Sequence, residues 1–146
     1  MATNFLTITK EQLQTSPNGR EYSAQVSGRG IPFLLKKVHI NIELENDEDP
    51  SIVDSLLTIA NDMLQKLDVY AAKATEELYE LFNDEWNEEG EEVSKEDFAK
   101  RLKLESLIVK SSSRLVYFDD GELFCGHVIE VNIDNEGNVE SADIAG

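Results

Sequence analysis

The side chains that could do chemistry crowd into one stretch, Asp119-Asp120-Gly121-Glu122-Leu123-Phe124-Cys125-Gly126-His127. Carboxylates, a thiol and an imidazole fall within nine positions. A Cys–His pair can make a thiolate nucleophile when the imidazole reaches the sulfur and a third group orients it. An imidazole with converging carboxylates can hold a metal ion. Read as part of a strand from Leu123 to Ile133, alternation places Leu123, Cys125, His127, Ile129, Val131 and Ile133 on one face. Phe124, Gly126, Val128, Glu130 and Asn132 take the other. Cys125 and His127 are then neighbours about 6–7 Å apart at Cα, and nothing in the sequence supplies an oxyanion hole. A structural role outweighs catalysis for both: a small apolar thiol, and a core histidine whose ring N–H bonds a carbonyl. His39 is the only other histidine. For Asp119, Asp120 and Glu122 the plain expectation is hairpin chemistry, with Asp-Asp-Gly supplying a positive φ.

A second focus is Trp86. It stands with Phe82 in the densest acidic stretch, which runs through Glu76, Glu77, Glu80, Asp84, Glu85, Glu88, Glu89, Glu91 and Glu92. An aromatic ringed by carboxylates suits a protein interface, where the ring anchors and the charges steer. The plain alternative is a solvated helix face followed by an acidic loop, with Trp86 packed on the sheet. Asp134-Asn135-Glu136-Gly137-Asn138 lacks the spacing and the terminal glutamate of a calcium loop and reads as a hairpin turn. Gly28-Arg29-Gly30 is too short for a phosphate loop. No G-x-x-x-x-G-K, G-x-G-x-x-G, H-E-x-x-H or G-x-S-x-G is present, so no cofactor is expected.

The elements that must position these residues follow from periodicity. Phe5 to Ile8 can start a short strand, and Lys10 to Gln14 a helical turn. Ser16-Pro17-Asn18-Gly19 is a turn by composition, and Tyr22 to Val26 a strand. Phe33 to Glu45 is a half-buried strand, with Val38, Ile40, Ile42 and Leu44 at period two. Asp49-Pro50 suits a helix start. Helical spacing continues through Leu56, Met63, Tyr70 and Leu78 to Phe82. Unbroken, that helix would measure about 50 Å, so a break is expected near Leu67-Asp68, with Asp68 capping the second half. Ser94-Lys95-Glu96-Asp97 opens a short helix as a variant capping box. Leu104 to Val109, Leu115 to Phe118, Leu123 to Ile133 and Val139 to Ile144 read as a meander. The pattern is α+β: a mostly antiparallel sheet, made of an N-terminal hairpin and a C-terminal β-meander, with a helical segment packed on one face.

Composition sets the outer bounds. The 146 residues fit one domain, residues 1–146, able to bury a core without disulfides. Thirteen Lys and Arg face thirty Asp and Glu, for a formal net charge of −17. Such a surface repels phosphate backbones and anionic membranes, and speeds encounter with a basic partner. No apolar run approaches the ~18 residues of a membrane span. The start lacks the pattern of a signal peptide, and Cys125 is the only cysteine. A cytoplasmic protein is the simplest expectation.

From Asn83-Asp84-Glu85-Trp86 to Gly146 the chain resembles a bacterial domain family of unknown function. That family's signature is N-x-x-W after a helix, then D-D-G-[DE]-L-F-W-G-H, then a final hairpin ending in I-x-G. Asn83 and Trp86, Asp119 to His127, and Ile144-Ala145-Gly146 carry the resemblance. Cys125 stands where the family pattern has Trp. Had that ring formed part of a ligand surface, this chain has altered it; had it filled the core, a neighbour must compensate. The resemblance implies a fold unit and a focal region rather than a reaction. The expectation is an interaction protein without catalytic apparatus, binding a basic protein partner, in an immunity or antitoxin-like role. Direct nucleic-acid and membrane binding are not expected, and the oligomeric state is left open. Two alternatives compete: a metal-binding or hydrolase-like domain centred on the Asp119–His127 hairpin, and an acidic nucleic-acid mimic. The candidate functional surface is Trp86, Asp119, Asp120, Glu122, Cys125 and His127.

Overall fold

The computed structural model describes residues 6–87, 90 and 93–145. Seven strands form one sheet in chain order: β1 (Gln14–Thr15), β2 (Glu21–Ser27), β3 (Leu34–Glu43), β4 (Lys103–Val109), β5 (Arg114–Asp119), β6 (Val128–Ile133) and β7 (Val139–Ala145). All neighbours are antiparallel except β3 and β4. Parallel strands need a long crossover, and here it holds the three helices: α1 (Val53–Leu64), α2 (Leu67–Leu81) and α3 (Lys95–Arg101). The α+β expectation is met.

Period two decides which face is covered. Val38, Ile40 and Ile42 of β3, Leu107 and Val109 of β4, Val116 and Phe118 of β5, and Ile129 and Val131 of β6 are all buried. Lys37, His39, Asn41 and Glu43 alternate with them and keep contact with water. The buried stripes of α1 (Val53, Leu56, Ala60, Met63) and α2 (Tyr70, Ala71, Ala74, Leu78) join the same core. None of the helices is long and apolar enough to cross a membrane, among the described residues.

The local start signals work as their chemistry requires. Asp49 accepts the Ser51 N–H at 2.8 Å and leads through a short turn into α1. Ser94 accepts the Asp97 N–H at 3.1 Å and caps α3. The long helical run is interrupted, but two residues earlier than expected. α1 ends at Leu64, and tight bonds from Gln65 N–H to Asp62 O and Lys66 N–H to Met63 O close it. Asp68 does not cap α2: Lys66 holds that position without a side-chain bond, and Asp68 lies in the first turn. An acid there still favours the positive end of the helix dipole.

Two further expectations need correction. Among the described residues of the N-terminal stretch, Leu6 to Ile8 form no strand; Phe5 lies outside the described residues. Instead Asn61 of α1 takes both backbone groups of Ile8, accepting its N–H at 2.7 Å and donating to its C=O at 2.9 Å. One amide side chain thus does what a strand partner would do. At the far edge, Glu77 of α2 accepts the free Ala142 N–H of β7 at 2.8 Å. A carboxylate on an edge strand blocks further pairing there. The second correction is the long third strand of the meander, which begins only at Val128.

Tyr70 is 1% exposed, and burial pushes its phenol from 10.0 up to about 12. Between those values the native state holds a proton that the unfolded state has released. Stability should therefore fall as pH rises through that window. Urea midpoints measured at about pH 9 and about pH 11 should show the drop, and Tyr70→Phe should reduce it. An equal drop in the variant would show that Tyr70 does not contribute.

Candidate functional site

The stretch from Asp120 to His127 is a curled loop, and one carboxylate organises it. Asp120 is fully buried. Its Oδ1 accepts the Glu122 N–H at 2.9 Å, and its Oδ2 accepts the N–H groups of Phe124 at 2.8 Å and Gly126 at 3.0 Å. Backbone donors that a strand would have spent on a neighbour point inward at one side chain. Asp119 is half-buried, and its Oδ2 accepts the Gly121 N–H at 3.1 Å.

The curl needs left-handed backbone. Gly121, Glu122, Cys125 and Gly126 all have positive φ, of 59°, 69°, 59° and 86°. For Glu122 and Cys125 that conformation costs about 1–3 kcal/mol each, which the bonds to Asp120 offset. Gly121 is constrained twice. Besides its φ, a Cβ there would lie 2.7 Å from Arg101 O, at the end of α3. The Asp-Asp-Gly run does supply a positive φ, but in a loop packed against a helix end rather than in a two-residue hairpin.

This geometry overturns the expected alternation. Leu123 and Phe124 are adjacent and both buried, whereas Cys125 and Gly126 are exposed. Cys125 is therefore not a core thiol. No hydrogen bond joins it to His127 among the described residues. The histidine does bond a carbonyl: His127 Nδ1 lies 2.5 Å from Phe124 O. A carbonyl only accepts, so Nδ1 carries the proton and only Nε2 is left for a ligand. The ring is half-buried rather than in the core.

Asp120 brings together the two foci that the sequence kept apart. By turning Phe124 inward it docks that ring among three others. Phe82, Phe98 and Trp86 meet Phe124 edge to face, at centroid distances of 5.8, 6.0 and 5.4 Å. Trp86 also meets the His127 ring at 5.5 Å, and Tyr79 extends the chain through Phe98 at 5.8 Å. Such edge-to-face pairs add about 0.5–1.5 kcal/mol each beyond burial. Trp86 reaches the loop because α2 does not give way to a loop at Asn83. It continues through a widened turn, Phe82–Trp86, closed by Asn87 N–H to Phe82 O at 2.8 Å. Wide turns of this kind recur at functional sites. The remaining acids of that stretch, Glu88, Glu89, Glu91 and Glu92, lie outside the described residues.

Asp84 and Glu85 directly precede the half-buried Trp86 in the widened turn, and Glu122 stands in the loop that ends at His127. Glu80, Asp84, Glu85 and Glu122 are exposed and make no ion pair among the described residues. Among those residues no three His, Cys, Asp or Glu side chains gather as metal ligands. Asp120, the buried acid of the cluster, already has its oxygens committed to backbone. Phe124 is the residue that sequence reasoning passed over. Its signal was the Leu123-Phe124 pair of adjacent apolar residues between two glycines, which strand alternation does not produce.

The fold and the site together define an α+β domain with helices on one face of a single sheet and an aspartate-pinned aromatic loop at the end of that sheet. The chain belongs to the family described as "uncharacterized protein conserved in bacteria (DUF2262)", whose sequence model matches residues 22–144. No curated protein and no solved structure matches the chain.

Asp120→Ala should cost about 2–4 kcal/mol. The Phe124 N–H would be left buried without a partner, while those of Glu122 and Gly126 can find water. Denaturant unfolding of the variant measures the loss. A change below about 0.5 kcal/mol, the range of an ordinary surface substitution, would show that the carboxylate does not hold the loop.

Proposed function

We propose that the protein is a non-enzymatic interaction domain that binds a basic protein partner across Trp86, His127 and the acidic end of α2. The observation that carries this reading is the half-exposed Trp86–His127 pair, held rigidly by Phe124 and flanked by unpaired carboxylates. An aromatic anchor on a rigid base loses little entropy on binding. Free carboxylates around it raise the encounter rate with a positively charged surface. An immunity or antitoxin-like role is the biological setting that suits such a domain.

The same loop speaks against a hydrolase or metal site. The best-placed acid, Asp120, is occupied by three amides, and His127 has one ring nitrogen committed to a carbonyl. Among the described residues no base is hydrogen-bonded to the thiol of Cys125, as nucleophilic catalysis requires.

Affinity capture from a bacterial lysate tests the reading. The wild-type chain at low salt should retain a basic protein that high salt releases, because exposed charges are screened within about 10 Å at 0.1 M. Trp86→Ala, and separately Asp84→Asn with Glu85→Gln, should each lose it. The charge-neutral pair changes only exposed side chains, so its fold should be intact. Retention that is equal for wild type and both variants, or no salt-sensitive retention at all, contradicts the proposal.

A further inference from the structure

With thirty acids to thirteen cations, most basic side chains should sit beside an acid. One groove departs from this. It is open to solvent, has a volume of about 630 Å³ and is lined by Arg29, Lys36, Lys37 and Lys103 around Leu34 and Leu35, with no acidic residue in its wall. None of the four cationic side chains makes a salt bridge or hydrogen bond among the described residues. The acid opposite Lys103 in the sheet is Asp119, and one of its oxygens is bonded to Gly121 N–H.

The groove is built by the topology. The parallel pairing of β3 and β4 sets Leu34 beside Leu104, and so brings Lys103 next to the start of β3. The chain leaving β2 folds back onto β3 through Gly28, whose N–H donates to Lys36 O at 3.1 Å. A Cβ on Gly28 would lie 2.3 Å from Leu35 O. Only glycine permits that approach, which carries Arg29 over the rim. Four like charges lining one groove repel one another, and the repulsion is relieved by an anion bound among them.

We propose that this groove binds a small amphipathic anion, a free acyl carboxylate. Its chain would lie on Leu34, Leu35 and the methylene stems of the lysines, and its carboxylate among the four cations. The volume lies within the range of small-molecule sites. The floor is aliphatic and every charged side chain of the wall is cationic, so the groove matches an acyl chain with an anionic head. A membrane or a polyanion would have to bring many charges against a surface of net charge −17. A monoanion brings a single charge, and the charged side chains lining the groove are all cationic. The inference is independent of the acidic face proposed for the protein partner.

Decanoate titrated into the ¹⁵N-labelled chain, below its micelle-forming concentration, tests it. The amides of Gly30, Leu34 to Lys37 and Lys103 should shift saturably. Lys37→Glu with Lys103→Glu, both at exposed positions, should weaken binding at least about tenfold while the rest of the spectrum stays in place. Decylammonium should leave those amides unmoved, and phosphatidylglycerol vesicles should not sediment the protein. The proposal is overturned by absence of a saturable shift, by shifts indifferent to the charge reversals, or by an equal response to decylammonium. Sedimentation with the vesicles would assign the groove to a membrane surface instead.

Discussion

The buried carboxylate of Asp120 is the constraint on which the candidate site depends. A charged group out of water is costly unless its lone pairs are satisfied, and three backbone amides satisfy these. The bonds work in both directions. They make the buried acid tolerable, and they force six residues after it into a curl that no strand or helix would adopt. Phe124 is driven inward as a result, while Cys125 is turned out to solvent. Phe124 then becomes the base on which Trp86 rests, and Trp86 in turn meets His127. A polar interaction thus sets an aromatic surface, through backbone geometry rather than direct contact.

The single parallel join in the sheet explains why the candidate surfaces share one end of it. The crossover between β3 and β4 returns the chain from α3 to the start of β4. Gly121 there packs against the last residue of α3, and Lys103 stands opposite Asp119. The start of β3 and the turn after β2 lie beside it on the other side. The aromatic loop and the cationic groove are therefore separated by little more than the width of one or two strands. They carry opposite charge, so they invite different ligands.

Much of the fold was legible because its signals are local. The period-two run in β3 and the helix starts at Asp49 and Ser94 each depend on residues within a few positions. The helix break could be inferred from length alone, but its place could not, because no Gly or Pro marks Gln65 and Lys66. The loop was misread for a physical reason. The Asp120 carboxylate bonds to the backbone N–H groups two, four and six positions ahead, and bonds to backbone leave no trace in the pattern of side chains. The meeting of Trp86 with Phe124 and His127 spans some forty residues, and the hydrophobic pattern carries no record of it. The cationic groove was hidden in the same way, because Arg29, Lys36, Lys37 and Lys103 are assembled by pairing and by Gly28.

Amide hydrogen exchange at Phe124 and Gly126 measures the organising interaction most directly. Both amides lie in a loop, where exchange is ordinarily fast. If Asp120 holds them, they should exchange slowly, with protection approaching that of the amides in β5 and β6. Exchange at the rate of an unstructured peptide, with β5 and β6 still protected, would contradict the central role given to the carboxylate.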